Sequence, residues 1–158
     1  SDALGFVSYH NDDYIDAISK DELFANICVL LGGRIAKMHK YGKAGMETGS
    51  INDLEVASMQ AYSAIALFGM DEELGYINIS GIEDAFDKDL LAEKIENRLL
   101  AWLEEAKKQT EHEVKRLWPA IEAVAKALIE KEVIDGLELK KIIEEKIPKK
   151  SVSRAKKP

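Results

Sequence analysis

The 158-residue chain carries 22 basic and 29 acidic residues, a net charge of −7, with 46% apolar and 32% charged residues. That composition belongs to one globular domain and excludes a disordered or collagen-like chain. From Pro148 on, Lys149, Lys150, Arg154, Lys156 and Lys157 stand with no acid, so the rest sets 17 bases against 29 acids, a net of −12 that argues against a nucleic-acid platform.

Residues 4–9, from Leu4 to Tyr9, are rich in β-formers and alternate loosely, which predicts one short strand. A lone strand cannot satisfy its own backbone, so it needs a pairing partner, and the chain is expected to begin inside a domain. Ser19 with Glu22 forms a capping box that opens a helix, with Leu23, Phe24, Ile27, Leu30, Leu31 and Ile35 on its apolar stripe. Gly32 and Gly33 lie inside that helix. Each costs about 1 kcal/mol against alanine, so close approach of a neighbouring element is expected there.

The glycines between Tyr41 and Gly49 predict a loop. Ser50 or Thr48 then caps a second helix running to about Phe68, with Leu54, Ala57, Ala61, Ile65 and Phe68 inward and Gly69 as its stop. Met70 to Asp87 is a polar connector, with a short strand expected at Tyr76–Ile79. A long helix should run from about Asp87 to Leu117 with Leu90, Leu91, Ile95, Leu99 and Trp102 inward. Pro119 suits the first turn of another, carrying Ile121, Val124, Ala125, Leu128 and Ile129. Asp135 with Glu138 reads as a second capping box, opening a short helix over Leu137, Leu139, Ile142 and Ile143. The fold class is therefore mainly α: a helical bundle with a short N-terminal edge strand. Residues 1–147 are expected to form the folded part and 148–158 a basic, disordered tail.

Recognisable chemistry is sparse. The single Cys28 excludes an internal disulfide and a cysteine-rich zinc module. No apolar run approaches the roughly 20 residues of a membrane span, and no signal peptide is visible. The histidines are His10, His39 and His112, and none opens an H-E-x-x-H pair. In His112-Glu113-Val114-Lys115-Arg116 a guanidinium, which cannot ligate zinc, stands where the second imidazole would be. Cys28 reads as core filler, His39 as a loop-edge residue, and Trp102 and Trp118 as core or interface. Gly42-Lys43-Ala44-Gly45 lacks the spacing of a phosphate loop. Asn52-Asp53-Leu54-Glu55 puts carboxylates in the first turn of a helix. There they either complement the helix dipole or turn one oxygen donor inward toward a metal.

Several segments, in order, add up to something specific. Leu30-Leu31-Gly32-Gly33-Arg34-Ile35-Ala36 resembles the Leu-Leu-Gly-Gly-Arg-x-Ala segment of the FtsH-type ATP-dependent zinc metalloproteases. Thr48-Gly49-Ser50-Ile51-Asn52-Asp53-Leu54-Glu55-Val56-Ala57 is similar to that family's Thr-Gly-Ala-x-Asn-Asp-Leu-x-x-Ala. Phe68 to Gly75 resembles its Tyr-Gly-Met-Ser-x-x-Leu-Gly, Ala3-Leu4-Gly5-Phe6 its Ala-Leu-Gly-Tyr strand, and Leu128 to Gly136 its C-terminal Leu-Leu-Glu-Lys-Glu-x-Leu-x-Gly. These matches cover roughly residues 3–146.

The resemblance implies the C-terminal part of a helical peptidase domain that follows an ATPase module on a membrane-anchored hexamer, at the cytoplasmic side of the bacterial inner membrane. It implies zinc held by two histidines of an upstream H-E-x-x-H helix and by the aspartate of Asn-Asp-Leu, here Asp53, with a metal-activated water hydrolysing peptide bonds. It implies protein substrates, fed by a separate ATP-using module and pairing with the edge strand at Gly5, Phe6, Val7 and Ser8. It gives no nucleic-acid partner, and membrane contact only through parts outside this chain.

The sequence departs from the pattern in places. H-E-x-x-H is absent, so the chain alone is expected to be zinc-free, inactive, and of lower oligomeric order than the hexamer. Lys37-Met38 stand where the family has an acidic pair, and Lys40-Tyr41-Gly42 replaces a Phe-Gly turn. Two expectations follow: a fragment of a zinc metalloendopeptidase, or a catalytically silent helical assembly module descended from that fold.

Overall fold

The computed structural model describes residues 17–82 and 88–147. The strand expected over 4–9, with Gly5, Phe6, Val7, Ser8 and His10 nearby, and the basic tail from Pro148 lie outside the described residues. Four helices carry the fold: α1 (Lys20–Tyr41), α2 (Ile51–Ala66), α3 (Lys88–Lys131) and α4 (Gly136–Lys146). Among the described residues there is no strand, and the chain is mainly α.

α1 starts where its sequence says it should. The Ser19 hydroxyl accepts from the Glu22 N–H at 3.2 Å, and the Glu22 carboxylate accepts from the Ser19 N–H at 2.8 Å. Asp21 and Glu22 in the first turn and His39 and Lys40 in the last complement the helix dipole. Leu23, Ile27, Leu31 and Ile35, four residues apart, form its buried stripe. α2 answers with small residues, Ala57, Ala61, Ala64 and Ala66, around a fully buried Ile65, which lets it lie close against its neighbours. α3 supplies Ile95, Trp102, Ala106 and Val114 to the same core. Phe24 meets the Trp102 ring edge-on at 5.7 Å. Cys28 is core filler: its thiol donates weakly to the Ala106 carbonyl at 3.8 Å, and burial pushes its pKa up.

Several expectations are corrected. Pro119 does not open a new helix, because α3 runs through it unbroken for 44 residues. Pro119 offers no N–H to the Lys115 carbonyl, but Val114 and Ala120 on either side are both buried, and that packing carries the helix across the gap. Tyr76–Ile79 is no strand. Tyr76 is fully exposed, and a single helical turn occupies Ile79–Gly81, capped by Asn78. Phe68 and Leu90 point outward, as does Ile129, which has only the short α4 nearby. α2 ends at Ala66, one turn early, and the chain reverses at Gly69 (φ +62°) with the Met70 N–H bonded to the Ala64 carbonyl. The Asp135 side chain caps α4 by accepting from the Glu138 N–H at 2.8 Å, but the Glu138 carboxylate pairs with Lys131 instead of closing the box. A Cβ at Gly32 or Gly33 would meet nothing within 4 Å among the described residues, so no neighbour there exploits the two glycines.

The connector after α2 is held by one buried carboxylate. Asp71, 2% exposed, accepts from the Trp102 indole N–H at 2.7 Å, from the Arg98 Nε at 3.0 Å, and from the N–H groups of Glu73 and Leu74 at 3.0 and 2.9 Å. Burial pushes its pKa up, but the Leu74 N–H, the Trp102 indole and the Arg98 guanidinium outweigh burial and hold the carboxyl below its ordinary range. Lys20 lies 5.7 Å over the Trp102 ring and pairs with Glu72, adding the start of α1 to the same junction.

Candidate functional site at the start of α2

The segment between α1 and α2 is short, glycine-rich and fastened to α1 at three points. Gly42 (φ +60°) turns the chain out of α1. Gly45 then lies against the backbone of α1, where a Cβ would sit 2.6 Å from the Lys37 carbonyl oxygen. Lys37 forms an ion pair with Glu47. Arg34, from the Leu-Leu-Gly-Gly-Arg segment, donates through Nη1 to the Glu47 carbonyl at 3.2 Å and to the Ser50 hydroxyl at 3.3 Å. Ser50 stands at the cap position of α2 without making a capping bond, because its hydroxyl faces the guanidinium.

This clamp fixes the first turn of α2, and with it Asn52, Asp53 and Leu54. Asp53 is half-buried, and its carboxylate has no hydrogen-bond or ion-pair partner among the described residues. Beside it, a groove of about 740 Å³ opens between α1, α2 and α3, with Leu31, Ile35, Leu54 and Leu103 in its floor and Arg34, Lys107 and Glu111 at its rim. A cleft of this size and polarity can hold an apolar side chain or a short stretch of polypeptide.

A catalytic zinc needs three protein donors and an open position. No three His, Cys, Asp or Glu side chains converge among the described residues. Asp53 supplies one oxygen donor, so the described residues do not by themselves fit a zinc ion. The other candidates do not gather around it. His39 stacks at 4.5 Å on Trp118, and the His112 segment spends its Glu113 on Arg116 at 3.1 Å. Gly42–Gly45 forms a turn seated on α1, which leaves no phosphate cradle. The residue that sequence reasoning missed is Arg34. Its signal was the arginine placed directly after the two glycines, but its acceptors lie 13 and 16 residues on, in a loop without regular periodicity.

Comparison with known proteins fits this geometry. Residues 1–142 match the family model described as peptidase family M41. The chain is 30% identical over 149 residues to the ATP-dependent zinc metalloprotease FTSH 3, mitochondrial, of Oryza sativa subsp. japonica, covering 91% of this chain and 18% of that protein. It is 30% identical over 155 residues to the ATP-dependent zinc metalloprotease FtsH of Syntrophobacter fumaroxidans (90% and 24%). To the protein of the same name from Chlorobium luteolum it is 32% identical over 136 residues (80% and 19%). The chain thus spans at most about a quarter of the length of these curated relatives. With a family match that runs from the first residue into α4, the chain belongs to peptidase family M41.

Proposed function

We propose that this chain is the C-terminal portion of the peptidase domain of an ATP-dependent zinc metalloendopeptidase acting on unfolded or membrane proteins, and that Asp53 is its third zinc ligand. The observation that carries the reading is the clamped first turn of α2, which holds an unpartnered, half-buried carboxylate at the position of the family's Asn-Asp-Leu. The names of the relatives, each an ATP-dependent zinc metalloprotease, support it. The two imidazoles and the general base belong to an H-E-x-x-H segment that these 158 residues do not contain, and ATP is used by a separate module. The chain alone is therefore inactive and binds no zinc. The bare face at Gly32 and Gly33, beside Arg34, is where such a segment can approach α1 closely.

By the same resemblance, residues 1–147 form the peptidase portion and 148–158 a basic extension, Gly5 to Ser8 form the substrate-pairing edge, and the longer protein assembles as a hexamer. It sits at the cytoplasmic side of a bacterial inner membrane through other segments, since no described helix is long and apolar enough to cross a membrane. A second reading, a catalytically silent assembly module, draws on Lys37. Where the family has an acid, this lysine ties the loop by an ion pair and keeps the site ordered without metal. The test is Asp53→Asn in the longer protein. Loss of bound zinc together with casein hydrolysis is expected; undiminished zinc content and hydrolysis overturn the ligand assignment.

A further inference from the structure

α3 is about 66 Å long at 1.5 Å per residue, twice the length of α1, so its last turns run past the three-helix core. There only α4 covers it. Lys131 ends α3, Glu132 takes a left-handed conformation (φ 63°), Asp135 caps α4, and Lys131 pairs back to Glu138, so the two helices form a tied hairpin. The apolar arc of this part of α3, from Ala120 round through Leu117, Leu128 and Ala125 to Ile129, spans roughly half the helix circumference, wider than the about 100° one packing partner needs. The 11-residue α4 does not fill it. A groove of about 380 Å³ remains, lined wholly by apolar residues that include Ile121, Leu128, Leu139 and Ile143. Outside the groove, Ile129 is 83% exposed, Val133 78% and Leu137 82%.

We infer that this hairpin is a homodimerisation surface, on which a second copy of the same hairpin lies antiparallel about a two-fold axis. Two observations select that occupant. Apolar side chains this exposed add up to roughly 500 Å², a large part of the about 800 Å² per partner that a standard interface buries, and at the upper end of what a monomer leaves bare. The rim of the arc also carries Glu122 and Lys126 one turn apart, and neither forms an ion pair within the described chain. Antiparallel pairing about Val124 sets Glu122 against Lys126 of the partner subunit, and the reverse, so the rim complements itself. A lipid surface would instead call for an excess of basic residues on this rim. The contact is isologous and separate from any ring contact, and it does not depend on the zinc reading.

Sedimentation velocity of the full chain from about 5 to 500 µM tests it. A monomer–dimer equilibrium is expected, with Ile129→Glu weakening it at least about tenfold and Val29→Glu, at an equally bare apolar site on α1, leaving it unchanged. Glu122→Lys alone should weaken the dimer, and adding Lys126→Glu should restore it. Circular dichroism checks that each variant keeps its helix content. Monomer at every concentration, a dimer indifferent to Ile129→Glu, or a charge swap that fails to restore pairing overturns the proposal.

Discussion

The Trp102 indole N–H donates to the Asp71 carboxylate at 2.7 Å, across 31 residues of sequence, and both side chains are buried. Through this bond the turn after α2 is joined to the middle of α3. Arg98 completes the junction from the same face of α3, one turn earlier.

Replacing Asp71 by Asn keeps the shape but removes the charge and turns an amide toward donors that need an acceptor. The expected loss is about 2–4 kcal/mol of unfolding free energy, because Arg98 and the indole are left short of a partner in a mostly buried place. Urea denaturation followed by circular dichroism measures it. A loss under about 0.5 kcal/mol would show that the junction is not a stability centre.

The same carboxylate sets a pH dependence. Its folded pKa lies below its unfolded value, so its contribution is fully present above the unfolded value of about 3.9 and is lost as pH falls through the folded one. Unfolding free energy of the native chain should therefore drop as pH falls below about 5, and Asp71→Asn should flatten that part of the curve. Parallel curves for the two proteins would contradict the assignment.

Glycines predict opposite outcomes at two places. Gly45→Ala drives a Cβ to within 2.6 Å of the Lys37 carbonyl oxygen, a backbone atom that cannot step aside, and should cost about 1–3 kcal/mol. Gly33→Ala meets open space in mid-helix and should stabilise the chain by roughly 0.5–1 kcal/mol. Thermal melts of the two variants should move in opposite directions.

Arg34→Ala releases two hydrogen bonds to the loop, with an expected cost of about 1–2 kcal/mol. Amide hydrogen exchange should quicken between Met46 and Asp53 while the Ile27 and Leu31 amides in the middle of α1 stay protected. Uniform quickening across α1 would mean that Arg34 supports the helix and not the loop.

Adding zinc to the purified chain should yield no binding tighter than the micromolar range, since one carboxylate cannot replace three donors. Stoichiometric uptake at lower concentration, by calorimetry, would place a complete site within these 158 residues.

What could be read from the sequence divides by range. The Ser19–Glu22 cap, the Leu23–Ile35 stripe and the alanines of α2 depend on neighbours within one or two turns, and all stand where periodicity puts them. Pro119 misled because a local rule met buried residues on both flanks. Tyr76–Ile79 has strand-forming residues but no strand beside it to pair with among the described residues. Asp71 was one acid in an acidic connector, and only Arg98 and Trp102, 27 and 31 residues away, give it meaning. At the candidate site, Asp53 was legible through the resemblance, whereas the clamp by Arg34 required the fold.

The three fastenings of the 42–50 loop all join residues close in sequence, none more than 16 apart. Ordering so short a loop costs little chain entropy, so this corner can assemble early in folding, ahead of the long-range contacts with α3. The position of the carboxylate is thus inherited from a local unit of some thirty residues, and damage far along α3 should weaken the molecule without re-aiming Asp53.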